Sequence, residues 1–129
     1  MTIFEKIIAG EIPSYKVAEN DDFLAFLDVF PLKRGHTLVI PKKPVDYIFD
    51  LDNHTYTNLN LFAKEVAKAL EQAVPCTRVG VAVIGLEVPH VHIHLIPIEH
   101  VGDVNFSNPK LKFTAEEMQE TADAINSFI

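Results

Sequence analysis

The segment Pro89–Pro97, "PHVHIHLIP", decides how this chain is read. Three of the six histidines occupy alternate positions within it. Side chains alternate between the two faces of a strand. His90, His92 and His94 therefore share one face, and Val91, Ile93 and Leu95 share the other. The apolar set belongs to a core. The histidine set faces a cleft or solvent, with neighbouring Cα atoms about 6.5–7 Å apart, close enough for the rings to share one substrate-sized space.

A solvated strand that happens to be histidine-rich would show the same alternation. Three rings in register favour a site, because clustered titratable groups tend to mark one. Mutual repulsion disfavours the doubly and triply charged forms, so at least one ring is neutral near pH 7. A neutral imidazole serves two chemistries. It can ligate a metal, with the shell completed by His36, His100, Glu87 or Asp28. It can also attack as a nucleophile while its neighbours orient it and assist the leaving group. Spacing alone leaves both open.

Outward from this strand, the chain reads as alternating elements. Thr2 and Glu5 have capping-box spacing and Gly10 is a natural stop, which predicts a short helix over Ile3–Ala9. "SYKVAEN", "DFLAFLDVF" and "HTLVIP" read as three strands. Asp50 or Asp52 is positioned to cap a long helix whose apolar stripe is Leu59, Phe62, Ala63, Val66, Leu70 and Ala73, ended by Pro75. Valine-rich "TRVGVAVIG" reads as a central strand, and "HVHIHLIPI" follows it. Residues His100–Lys112 read as a loop, with His100 in phase with the triad but separated from it where Pro97 is expected to interrupt the ladder. Thr114 and Glu117 repeat the capping-box spacing and open a C-terminal helix over 113–129. The expected class is α+β: a mainly antiparallel five-stranded sheet with one long helix and a short helix at each end.

The chain's 129 residues fit one domain, 1–129, with a genuine core. A net charge of −7 argues against a nucleic-acid binder, although a local pocket can still take a small anion. The single cysteine, Cys76, allows no internal disulfide and no cysteine cluster for zinc, which suits a reducing compartment. "MTIFEKIIAGEIP" has neither the apolar run of a signal peptide nor that of a membrane span, so a cytoplasmic protein without membrane partners is expected.

The segment "HVHIHLI" resembles the His-φ-His-φ-His-φ-φ signature, φ being apolar, of the histidine triad superfamily. "IFEKIIAGEIP", "AFLDVFPLKRGHTLVIPKK" and "GLEVPH" resemble, in order, other segments of its nucleotide-binding branch, so the likeness spans roughly residues 3–98. It implies a homodimer; Leu51–Val74 is the candidate interface element, since a long helix in so small a domain is able to expose a second apolar patch. It implies a purine nucleotide as partner, and hydrolysis or transfer at the nucleoside α-phosphorus, often of phosphoramidates, without a catalytic metal or other cofactor. By position, His92 is the nucleophile, His94 contacts the phosphate and leaving group, His90 supports the site and His36 orients it. Asp28 matches the carboxylate that grips the ribose hydroxyls, and Ile3, Phe4, Ile7, Phe26, Val29 and Leu38 fall where the family packs the base. Glu87 lies where relatives carry a small hydroxyl residue or glutamate beside the phosphate. Three features depart from the pattern. "TIFEK" lacks the Cys-x-x-Cys of zinc-holding relatives, Leu86 replaces a common glutamine, and "RVGVAVIG" lacks a sugar-contacting asparagine. These departures keep a weakly catalytic nucleotide-binding module as an alternative to the enzyme.

Overall fold

A computed structural model describes residues 1–129. Helix α1 (Ile3–Ile8) begins where Thr2 Oγ1 accepts from Glu5 N–H and the Glu5 carboxylate accepts from Thr2 N–H. This reciprocal cap contributes about 1 kcal/mol to so short a helix. Strands β1 (Lys16–Glu19), β2 (Phe23–Leu27) and β3 (Thr37–Pro41) follow, then α2 (Asn53–Ala73), β4 (Arg78–Ala82), β5 (Ile93–Ile98) and α3 (Ala115–Asn126). Of the two candidate caps for α2, Asp52 is the one used, and its Oδ1 accepts from Thr55 N–H at 2.8 Å. Single 3-10 turns occupy Ile48–Asp50 and Val101–Val104. No helix is long and apolar enough to cross a membrane.

The sheet order is β1-β2-β3-β5-β4, and every pair is antiparallel. Alternation sends its residues to two cores. On one face Phe23, Ala25, Leu27, Val39, Ile93 and Leu95 meet the α2 stripe and Met118, Ala122 and Ile125 of α3. On the other, Leu24, Phe26, Leu38 and Ile40 meet Phe4 and Ile7 of α1. Val91 goes with the first core, as the triad's alternation requires.

Three expectations are corrected. "TRVGVAVIG" is not central: β4 lies at the sheet edge, paired only to β5. A valine run is equally at home on an edge strand: Val79 and Val81 share one face, and the core covers Val79 while Val81, further along, is 66% exposed. "DFLAFLDVF" stops being a strand at Leu27, because Asp28 Oδ1 accepts from Phe30 N–H and turns the chain. Pro97 does not interrupt β5. The last β3 partner of β5 is Leu95, so a missing N–H at Pro97 is tolerated on that free side.

Gly35 sets up the loop before β3. Its φ is +89°, and a Cβ there would lie 2.9 Å from Leu70 Cδ1 and 3.0 Å from Val74 Cγ2. Only glycine suits both the left-handed backbone and the close approach to α2. The next residue is His36.

Candidate active site

Cross-strand register assembles the site. Phe26 on β2 pairs with Leu38 on β3, and Leu38 pairs with His94 on β5. This row lies on the face that α1 covers, where one apolar pocket of about 500 Å³ opens. His92, His94, Asp28, Phe26, Leu38, Ile3, Phe4, Ile7, Val29 and Glu87 all line it. Ile3 and Val29 stand at the mouth, 49% and 58% exposed, whereas Phe4 and Ile7 are buried. His90 and His36 lie behind the wall, fully buried. Strand alternation predicts His90 in one space with His92 and His94, but β5 begins only at Ile93 and His90 stands behind them instead. His100 is outside: it precedes the Val101–Val104 turn and is exposed.

Hydrogen bonds determine which ring nitrogens carry protons. A backbone N–H can only donate, so Leu32 N–H, 3.1 Å from His36 Nδ1, makes that nitrogen an acceptor. The single proton of neutral His36 is then on Nε2, which donates to His94 Nδ1 at 2.9 Å. His94 in turn carries its proton on Nε2. A carbonyl can only accept, so His92 Nδ1–H donates to His90 O at 2.7 Å, and a neutral His92 has its lone pair on Nε2. His90 Nε2–H donates to Pro41 O at 2.7 Å, while its Nδ1 is buried without a partner.

Electrostatics agree with neutral rings. Burial, then the charge of neighbouring His94 and of Lys110, pushes His36 down to about 3. Burial, then the charge of His92, pushes His94 down to about 4. Burial also lowers His90. Asp28 shifts the other way: burial raises its carboxyl, against the Phe30 N–H bond that lowers it. Its second oxygen, Oδ2, is 3.6 Å from His36 Nε2, and with His36 neutral this contact is not an ion pair.

Asp28, His36 and His94 place one donor atom each within 4.8 Å of one another; His90, His92, His100 and Glu87, the other candidate ligands of the sequence, are not in this group. The donor chemistry does not fit a metal. His36 would have to offer a lone pair at Nε2 while Nδ1 keeps its own for Leu32 N–H. That requires an imidazolate or a broken backbone contact.

Leu86, noted above as a departure from the pattern, is 89% exposed at the rim. The pocket also contains residues that sequence reasoning did not single out: Ile12 and Ile84 extend the apolar wall. Phe106 enters from the segment after β5, its ring 4.8 Å from that of His94 at 70°. The only signal for it was a lone aromatic in an Asn/Ser/Pro loop. Phe4 makes the matching contact with His92, at 5.0 Å and 76°.

Comparison with known proteins bears on the same residues. Residues 9–101 match the family model described as the HIT domain. An uncharacterized 16.1 kDa HIT-like protein of Mycoplasma pneumoniae is 39% identical over 105 residues, covering 78% of this chain and 73% of that protein. An adenosine 5'-monophosphoramidase of Schizosaccharomyces pombe is 33% identical over 130 residues, covering 98% and 97%. Among solved structures, a Hit-like protein involved in cell-cycle regulation from Bartonella henselae superposes with a TM-score of 0.86 at 32% identity, covering 99% of this chain and 96% of that one. With His94 on β5, His92 just ahead of that strand and a family match across most of its length, the chain belongs to the HIT-domain family.

Proposed function

We propose that the protein is a nucleotide hydrolase or transferase that cleaves purine nucleoside 5'-phosphoramidates through a nucleotidyl-histidine intermediate on His92. The observation that carries this reading is the pairing of proton states. His92 presents a lone pair and His94 presents an N–H, side by side with ring centroids 5.0 Å apart, at one end of an apolar pocket that also holds Asp28. The relatives named as adenosine 5'-monophosphoramidases support the substrate class.

His92 Nε2 attacks the α-phosphorus, forming an N–P bond. The P–N bond to the leaving group breaks, and its electron pair stays on nitrogen, which takes a proton from water and departs as the amine. His94 Nε2–H donates a hydrogen bond to the nitrogen where charge develops. Water then attacks phosphorus, the pair returns to His92 Nε2, the surplus proton leaves to solvent, and nucleoside monophosphate is released. Asp28 accepts the ribose hydroxyls, and Phe4, Ile7, Phe26, Leu38, Ile3 and Val29 enclose the base, since a flat purine suits an apolar slot. Glu87 lines the pocket and favours leaving groups without added negative charge. His90 holds His92 through its carbonyl, and His36 holds His94.

Purified protein should hydrolyse adenosine 5'-phosphoramidate, and His92→Ala should lower kcat by about a thousandfold or more. Unchanged turnover in that variant would remove His92 from the nucleophile's role. Tight nucleotide binding with no turnover by the unaltered protein would favour the binding-module alternative.

The protein is further proposed to act as a homodimer in the cytoplasm. The apolar stripe of α2, within the expected interface Leu51–Val74, is spent on the chain's own sheet. The free edge of β4, where Val81 is exposed and the backbone has an open pairing side, is the stronger candidate for the contact.

A further inference from the structure

We propose that Phe106 is a positioning residue for His94, set in place by a segment that lies beyond the family-matched residues 9–101. The inference rests on the reaction proposed above, in which His94 serves the leaving group.

The hydrogen bond from His36 secures only the Nδ1 edge of the His94 ring. Rotation about that contact has to be stopped by packing. His92 lies against the ring at 5.0 Å, and Phe106 lies closer, at 4.8 Å, edge to face. Phe106 also reaches His36, at 6.3 Å and 71°, so one side chain covers both rings of the donor chain. Edge-to-face aromatic contacts are directional, so they restrain ring orientation as well as burying surface. Phe106 shares the pocket wall with His94, where it keeps water from competing for the Nε2–H.

The segment carrying Phe106 is built to hold it. Ser107 N–H donates to Asn105 Oδ1 at 2.9 Å, and Asn108 N–H donates to Asn105 O at 3.0 Å. Asn108 Nδ2 donates to Gly102 O at 2.8 Å. Lys110 Nζ donates to Asn108 O at 3.0 Å and also to Phe106 O. Two further contacts fasten the region to the loop that carries His36: Leu111 N–H to Pro31 O at 2.8 Å, and Lys33 Nζ to Asp103 Oδ1 at 3.2 Å. The chain thus anchors its Phe106 support on the loop whose histidine Phe106 covers.

The test compares the unaltered protein with Phe106→Ala and Phe106→Leu on two adenosine 5'-phosphate derivatives, one releasing an alkylamine and one releasing 4-nitrophenol. The alkylamine needs the His94 hydrogen bond far more. Phe106→Ala should lower kcat about tenfold or more for the alkylamine and less than about threefold for nitrophenol, with KM changed less than about twofold, as expected of a misplaced group rather than a lost binding contact. Phe106→Leu should fall between. In a His94→Ala background, Phe106→Ala should cause no further loss. Equal losses for the two leaving groups, or a full additional loss without His94, would overturn the proposal. Nitrogen-15 NMR at pH 7 reads His94 without any turnover. Unaltered protein should show a His94 Nε2–H that exchanges slowly with solvent and Phe106→Ala the same tautomer with faster exchange, since the hydrogen bond from His36 remains while the packing is lost; an unchanged exchange rate in the variant counts against a positioning role. Failure of the unaltered protein to cleave either substrate would instead overturn the proposed reaction.

Discussion

The buried histidines make stability depend on pH in a definite direction. Unfolded, His36 and His94 take up protons near pH 6.5; folded, they do so only at about 3 and about 4. Between those values the unfolded chain binds more protons than the folded one, so acid favours unfolding. The stabilisation is complete above about pH 6.5 and is lost as pH falls toward 4 and then 3, at ~1.4 kcal/mol per pH unit for each fully differing group. Urea midpoints measured between pH 7.5 and pH 4.5 should therefore fall on the acid side. His36→Asn keeps an acceptor for Leu32 N–H but does not titrate, and should make that fall shallower. An identical slope would show that His36 does not set it. At this scale the sequence was informative about identity and less so about position. The alternation of "HVHIHLI" placed His92 and His94 in the pocket. It did not show that His90 and His36 stand behind the wall: β5 begins at Ile93 and β3 at Thr37, so neither residue follows a strand's parity.

Among the elements, the loop before β3 is the most constrained. Gly35→Ala would combine a positive φ with a Cβ 2.9 Å from Leu70 on α2, so a loss of about 1–3 kcal/mol is expected in chemical denaturation. Gly102→Ala, where a Cβ meets nothing within 4 Å, should change stability by less than about 0.5 kcal/mol. Equal effects at the two positions would mean that the close packing of the loop on α2 contributes little. The caps of α1, α2 and α3 were legible because Thr2, Asp52 and Thr114 act through hydrogen bonds to residues three along. The end of β2 was not. Asp28 turns the chain through its own side chain, and "DVF" reads as strand on propensity alone. β4 was misplaced for a related reason: whether a strand has one neighbour or two is decided by distant pairing, which "TRVGVAVIG" does not encode.

For the whole molecule, α3 is the element whose role could not be assigned in advance. It packs on the large core opposite the pocket, with Asn126 Nδ2 donating to Val17 O at 2.8 Å. Arg34 Nε donates to Thr121 Oγ1 at 3.2 Å, so α3 also steadies the loop that carries His36 from behind. The open edge of β4 remains the exposed feature that a second copy would cover. A dimer mass is expected in solution at micromolar concentration, and Val81→Lys, a charge at an exposed apolar position of that edge, should shift it toward monomer. A monomer mass for the unaltered protein would refute the proposed assembly, and a dimer undisturbed by the substitution would move the interface elsewhere.

The single contact from Leu32 N–H to His36 has a consequence for how the molecule meets its chemistry. Main-chain amides do not flip, so the order of donors from Leu32 through His36 to His94 is settled when the polypeptide folds. The relay has a polarity, as a diode does. It offers hydrogen outward to the pocket and cannot be reversed without unfolding the turn that begins it. A substrate therefore meets a surface whose hydrogen-bonding sense is already chosen, and only ligands that present an acceptor at that end are complementary to it.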